Sequence, residues 1–295
     1  MNVVSTSPSG TEILYALGVD PVAVSHSCDH PPAFDDLPTI DVSRVDADAS
    51  ADRHRQVTAS IQDGGVYRID AEMLRSVDPD LVLTQGVCGV CAVDESLIAE
   101  TLAGLDVDPD VLALDASRLA DLYECIERVG AAVGRETQAE SLIASLRERV
   151  AATEARVADR ATTPRVAVFE WMDPPRLAGN WVPELIQSAG GRPLLTAPGQ
   201  RTSELDWQTL LDVAPEVIVV APCGFDVERT EQRINELADR EGWEALPAVE
   251  QRRVYAVDGA AYFNRWTPRL IDSLERLEVL LAPDGSPPDD VRRLV

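Results

Sequence analysis

The chain of 295 residues contains no lysine. Its 26 basic residues are all arginine and stand against 51 acids, for a formal net charge of −25. A surface of that sign repels phosphate backbones, which argues against nucleic-acid binding. No run of eighteen apolar residues occurs, so no membrane-spanning helix is expected. The start of the chain lacks a positive segment followed by an apolar one; Asn2-Val3-Val4-Ser5 already reads as a strand. A signal peptide is therefore not expected in this chain, which leaves a trimmed leader or a cytoplasmic start at Met1. Gly64-Gly65 and Gly190-Gly191 are isolated turns and form no phosphate-cradling loop. A Ser-His-Asp set at motif spacing and an HExxH helix are both missing, so nothing calls for covalent or zinc-protease catalysis, and the chain is not expected to be an enzyme.

The acidic excess has a second consequence. Like charges strain a compact state unless salt screens them. The composition resembles that of proteins from salt-loving archaea.

What the chain does contain is an alternation of buried strands and helices, which predicts an α/β fold with parallel sheets. Expected strands are Val3–Ser5, Val22–Ser25, Leu81–Thr84, Val111–Leu114, Val166–Phe169, Val217–Val220 and Val254–Val257. Between the two runs lies a long helical stretch from Arg118 to Arg160, with a break at Gly134. The reading is two Rossmann-like lobes, residues 1–117 and 161–295, joined by linking helices over residues 118–160, with a tail expected to fray from about residue 283. The halves also echo each other. Leu74-x-x-Val77-x-Pro79-Asp80 is matched by Leu210-x-x-Val213-x-Pro215-Glu216, each leading into a buried strand. Self-similarity of this kind points to duplication.

Ligands of open parallel sheets sit outside the carboxyl ends of the strands. Three stretches leave strands there and are expected to face one cleft: His26-Ser27-Cys28-Asp29-His30, Gln85 to Cys91, and Ala221 to Phe225. Cys88-x-x-Cys91 is open to three readings: a redox pair, half a zinc site with His26 and Cys28, or loop packing beside a ligand. Cys125, in a helix, reads as a buried core thiol. Aromatic residues make up only 5% of the chain, yet Trp171, Trp181, Phe225, Tyr262, Phe263 and Trp266 gather at loops or element ends of the second half. Flat apolar side chains beside a cleft suit a large flat ligand.

Two stretches carry a family resemblance. Ser7-Pro8-Ser9-x-Thr11-Glu12, followed by Val24-Ser25-His26-x-Cys28-Asp29-x-Pro31-Pro32, resembles the opening of the cobalamin substrate-binding proteins of ABC importers. Asp173-Pro174-Pro175 and Tyr262-Phe263-Asn264-Arg265-Trp266-Thr267-Pro268-Arg269 extend the likeness. The resemblance implies a non-enzymatic receptor, two α/β lobes on one long helix, cobalamin as ligand with no further cofactor, and a membrane permease as partner. It implies permease docking at Glu72 and, at the matching position of the second lobe, at Gln208, where a Glu is the family pattern. Under this reading Trp171, Trp181, Phe225, Tyr262 and Trp266 line the ligand. Ser7, Ser9, Gln85, Asn180 and Arg265 bond its polar groups, with Cys28, Cys88 and Cys91 nearby, and His26 is a candidate axial ligand to cobalt. Two alternatives stand beside it. One is haem or an iron chelate, for whose anionic forms Arg176, Arg201 and Arg265 are candidates; the other is a cytosolic thiol or zinc protein using Cys28, Cys88 and Cys91.

Overall fold

A computed structural model describes residues 1–34, 36–47, 49–62, 65–86, 93, 95–283 and 286–295. It divides into two compact units. Unit 1 comprises Met1–Asp48, Asp52–Ala116 and Ala120–Ala144; unit 2 comprises Ala49–Ala51, Ser117–Leu119 and Ser145–Val295.

Unit 1 is built on four parallel strands in the order β2-β1-β5-β6, with β1 Val3–Ser5, β2 Ala23–Val24, β5 Leu81–Gln85 and β6 Asp110–Leu114. All five residues of β5 are buried: the apolar Leu81, Val82 and Leu83, as a parallel sheet requires, and then the polar Thr84 and Gln85. Helix α1 (Pro8–Ala16) follows β1 directly. Ser7 caps it by accepting from the Gly10 amide, and Pro8 occupies its first turn, where no amide donor is needed. The helix lies so close to its strand that a Cβ on Gly10 would stand 2.9 Å from the Ser5 hydroxyl. Two short strands that the sequence pattern does not announce, β3 (Asp41–Ser43) and β4 (Tyr67–Ile69), pair antiparallel beside the main sheet. Helices α2 (Ser50–Gln62), α3 (Ala71–Ser76), α4 (Glu95–Leu102) and α5 (Leu119–Ala132) complete the order up to the linker.

The break expected at Gly134 is present. Gly134 adopts φ +65°, the left-handed conformation that ends a helix most easily at glycine. Helix α6 (Glu136–Val157) then runs for 22 residues, about 33 Å. Its second half belongs to unit 2, where Arg149 binds Glu275 at 2.7 and 2.9 Å and Asp272 at 2.5 Å, and Arg156 binds Glu278 at 2.6 and 2.8 Å. These acids lie on α12 (Leu270–Leu281).

That clasp has a testable cost. Arg149→Leu leaves Asp272 and Glu275 facing each other without their cation. Their side chains and that of Arg149 are 30–39% exposed, so the expected loss is about 1–2 kcal/mol, less than for a fully buried pair. The Arg149 hydrogen bond holds the Glu275 carboxyl below its ordinary pKa. A depressed carboxylate contributes stability above its unfolded pKa and loses it as pH falls through the folded value. The difference between wild type and variant in denaturant melts is therefore expected to be full at neutral pH and to shrink in acid below about pH 4. An equal difference at every pH would contradict the assignment.

Unit 2 carries a larger sheet in the order β10-β8-β7-β11-β12-β13, with β9 also on β7. Its parallel centre is β7 (Arg165–Trp171), β11 (Val217–Val220) and β12 (Val254–Ala256), flanked by β8 (Arg176–Leu177), β9 (Arg192–Pro193), β10 (Ser203–Glu204) and β13 (Arg292–Arg293). Its helices are α7 (Val182–Ser188), α8 (Trp207–Val213), α9 (Val227–Arg233), α10 (Asn235–Ala238), α11 (Pro247–Glu250) and α12. The tail does not end in a frayed segment as expected. Val291 is buried, and β13 pairs antiparallel with β12, Tyr255 against Arg293 and Ala256 against Arg292.

The sequence echo is repeated in the backbone. Asp70 and Asp206 cap α3 and α8 by accepting from Met73 and Thr209, four residues before the buried Leu74 and Leu210. Asp78 and Ala214 both turn to positive φ, 44° and 47°, just before Pro79 and Pro215. The same cap, the same buried leucine and the same left-handed exit lead into β5 and β11.

Candidate functional site

At the carboxyl edge of the unit 1 sheet, polar side chains are buried as a group. Ser7 and Ser9 open α1 and are 1% and 4% exposed, and Gln85 ends β5 at 9%. Thr11 and Cys28 meet here, hydroxyl to sulfur at 3.1 Å. His26 follows β2 and keeps 30% of its side chain exposed. The structure thus places Ser7, Ser9, His26, Cys28 and Gln85 on or beside the same sheet edge. Cys88 and Cys91 lie outside the described residues. Among the described residues, no group of three or more His, Cys, Asp or Glu is set to hold a metal ion.

A residue that sequence reasoning missed is central to this edge. Asp41, the first residue of β3, is 1% exposed and accepts from the Ser25 hydroxyl at 2.9 Å and from the His26 amide at 2.8 Å. One of its oxygens also stands 3.2 Å from His26 Nδ1. The Tyr67 ring of β4 lies 5.7 Å from the imidazole, centroid to centroid.

In unit 2 the candidate aromatics divide by burial. Phe225 is fully buried, with the Trp171 ring edge-on at 5.6 Å and the Arg229 guanidinium 4.0 Å over its face. Trp181 is 6% exposed and donates its indole N–H to the Phe263 carbonyl at 2.6 Å; Trp266 is 4% exposed. These three are buried side chains of the unit, and the contacts of Trp181 and Phe225 are structural. Trp171 is half-buried and donates to the Asp173 carbonyl at 3.0 Å. Tyr262 is engaged too. The Arg276 guanidinium sits 3.9 Å over its ring and donates to its hydroxyl, which in turn bonds Asp290. Burial, first, raises its phenol pKa. Asn180 takes φ +51° in a turn whose amide donates to Gln200 at 2.6 Å, and Arg265 is half-buried.

The remaining candidates fall elsewhere. Glu72 is exposed in the first turn of α3, and Gln208 is exposed at the matching turn of α8, where its amide donates to Asp212 at 3.0 Å. Arg176 is half-buried on β8 and Arg201 is exposed. Cys125 is the core thiol that its helical position implied, its pKa pushed up to about 11 by burial.

The two α/β halves and the long helix between them find their counterpart in known proteins. Residues 3–261 match the periplasmic binding protein family. The chain belongs to that family. It is 24% identical over 292 residues to the uncharacterized ABC transporter substrate-binding lipoprotein YvrC of Bacillus subtilis, covering 96% of this chain and 80% of that one. A periplasmic haem-binding protein from Pseudomonas aeruginosa superposes with a TM-score of 0.73 at 20% identity, covering 98% of this chain and 95% of that one. The periplasmic haem-binding protein RhuT of Roseiflexus sp. RS-1 gives 0.71 at 24% identity, with 95% and 97% covered. At these identities the solved structures establish the fold of this family member: two α/β lobes and a linking helix.

Proposed function

We propose that this chain is the substrate-binding component of an ABC importer and that its cargo is a flat metal–tetrapyrrole. The observation that carries the reading is His26: an accessible imidazole at the carboxyl edge of a parallel sheet, beside buried hydroxyls, suits an axial ligand to iron or cobalt. The B. subtilis relative, described as an ABC transporter substrate-binding lipoprotein, supports the importer role. Haem is the first cargo, in keeping with the solved relatives described as haem-binding. A corrinoid is the second, and the stretch Ser7 to Pro32 favours it through its likeness to cobalamin receptors. Anionic iron chelates rank below both, because Arg176, Arg201 and Arg265 are few and Arg201 is exposed.

The working location is extracytoplasmic, with Glu72 and Gln208 as the docking positions for a permease. Among the described residues, no helix is long and apolar enough to cross a membrane.

Absorbance titrations with hemin and with cyanocobalamin, in high salt, separate the two cargoes. Saturation at one equivalent with a sub-micromolar midpoint, by one of them, is the expected result. A red-shifted, sharpened Soret band with hemin assigns haem; binding of cyanocobalamin alone assigns the corrinoid. Binding of neither by folded protein would end the tetrapyrrole reading.

A further inference from the structure

The contact between Asp41 and His26 has no structural need of the imidazole. Asp41 is already satisfied by the Ser25 hydroxyl and the His26 amide, and its backbone is fixed independently: Ile40 donates to the Val24 carbonyl, Asp70 to the Ile40 carbonyl, and Asp41 pairs with Ile69. Yet the ring of His26 is turned so that Nδ1 stands 3.2 Å from Oδ1, the carboxylate oxygen that already accepts from the His26 amide, with Tyr67 against the ring. A buried carboxylate beside Nδ1 favours the tautomer that carries its proton there, which leaves the Nε2 lone pair for a metal. Metal-binding histidines are oriented and made more basic in this way.

We propose that Asp41 is the positioning residue for a metal-ligating His26: it selects the Nδ1–H tautomer, aims Nε2 at the metal of the bound macrocycle and strengthens the donor. The inference deepens the tetrapyrrole reading and rests on it for the identity of the metal. Ser25 and the His26 amide hold the carboxylate still. Tyr67 limits rotation of the ring.

Two measurements on the whole chain test it. Nitrogen-15 correlation spectra of the unliganded protein, which has only 3 histidines, report the tautomer directly. His26 is expected as Nδ1–H in the wild type and as a mixture in Asp41→Ala. The probe for the second measurement is hemin, with aquocobalamin alongside. His26→Ala is expected to lose the axial-imidazole signature, namely the iron–histidine stretch of the ferrous hemin complex or the band shift when imidazole displaces water from cobalt. Asp41→Asn, which preserves shape should Asp41→Ala fold poorly, is expected to weaken binding about tenfold, to lower the iron–histidine stretch and to raise the reduction potential. A merely structural role for Asp41 would lower the melting temperature and leave stretch and potential unmoved; that result overturns the proposal. So does an Nε2–H tautomer in the wild type, or an axial signature that survives His26→Ala, and either leaves tetrapyrrole binding itself intact. Binding of neither probe by folded wild type removes the function and the inference together.

Discussion

Transferred from about 2 M to about 0.1 M potassium chloride, the chain is expected to lose about 5 kcal/mol of stability and about 15 °C of melting temperature. The net charge of −25 is the reason. At 1 M salt the screening length is about 3 Å, so an acid feels only its immediate neighbours; at 0.1 M it is about 10 Å, and each acid feels several. Close like-charge pairs cost about 0.2–0.5 kcal/mol each, and the smaller figure applied to every excess charge gives the total above. Attractive pairs oppose the trend weakly: the bridges from Arg149 and Arg156 to α12 gain as salt falls, but they are few against the acidic excess. Thermal melts in a potassium chloride series, with sucrose as a control for solvent exclusion, check this. A flat series would show that the acids are too well dispersed to matter.

The second large effect concerns a residue that sequence reasoning placed on the ligand. Phe225→Ala is expected to cost about 3–5 kcal/mol of stability, the usual price of emptying a fully buried aromatic site. Phe225 has no exposed surface, supports Trp171 edge-on and lies under the Arg229 guanidinium. Removing it leaves a cavity in the core of unit 2 and takes away the cation–π partner of Arg229. Tetrapyrrole affinity, measured on the folded fraction in high salt, is expected to change less than about threefold, because a buried ring has no face to offer a ligand. Unchanged stability with affinity lost would restore Phe225 to the binding surface.

Phe225 also shows where the sequence stopped being legible. The strands β1, β5, β7, β11 and β12 could be found because runs such as Leu81–Leu83 and Val217–Val220 are buried and apolar throughout. The linking helices could be found from their 3.6-residue spacing and from Gly134. Short strands without an apolar run gave no such signal. Asp41–Ser43 and Tyr67–Ile69 are too short for a period, and Arg292–Arg293 sits among prolines and aspartates that read as an unstructured end. Which way a loop aromatic faces is a tertiary property, so the burial of Trp181, Phe225 and Trp266 is not legible in the sequence. Asp41 was invisible for a different reason. It is one acid among 51, and it meets His26 only because β3 folds back across 15 residues of sequence. The half-to-half echo fared best, since leucines and prolines at a fixed spacing are local: Leu74 to Pro79 and Leu210 to Pro215 needed no tertiary information.

The central claim is that the cargo is a metal–tetrapyrrole and not another iron or metal chelate. The most direct test is equilibrium tryptophan quenching in high salt with hemin, cyanocobalamin and a ferric hydroxamate chelate offered under identical conditions. One of the two macrocycles is expected to bind below micromolar and at least about a hundredfold more tightly than the chelate, a difference of about 2.7 kcal/mol. Equal or tighter binding of the hydroxamate would contradict it.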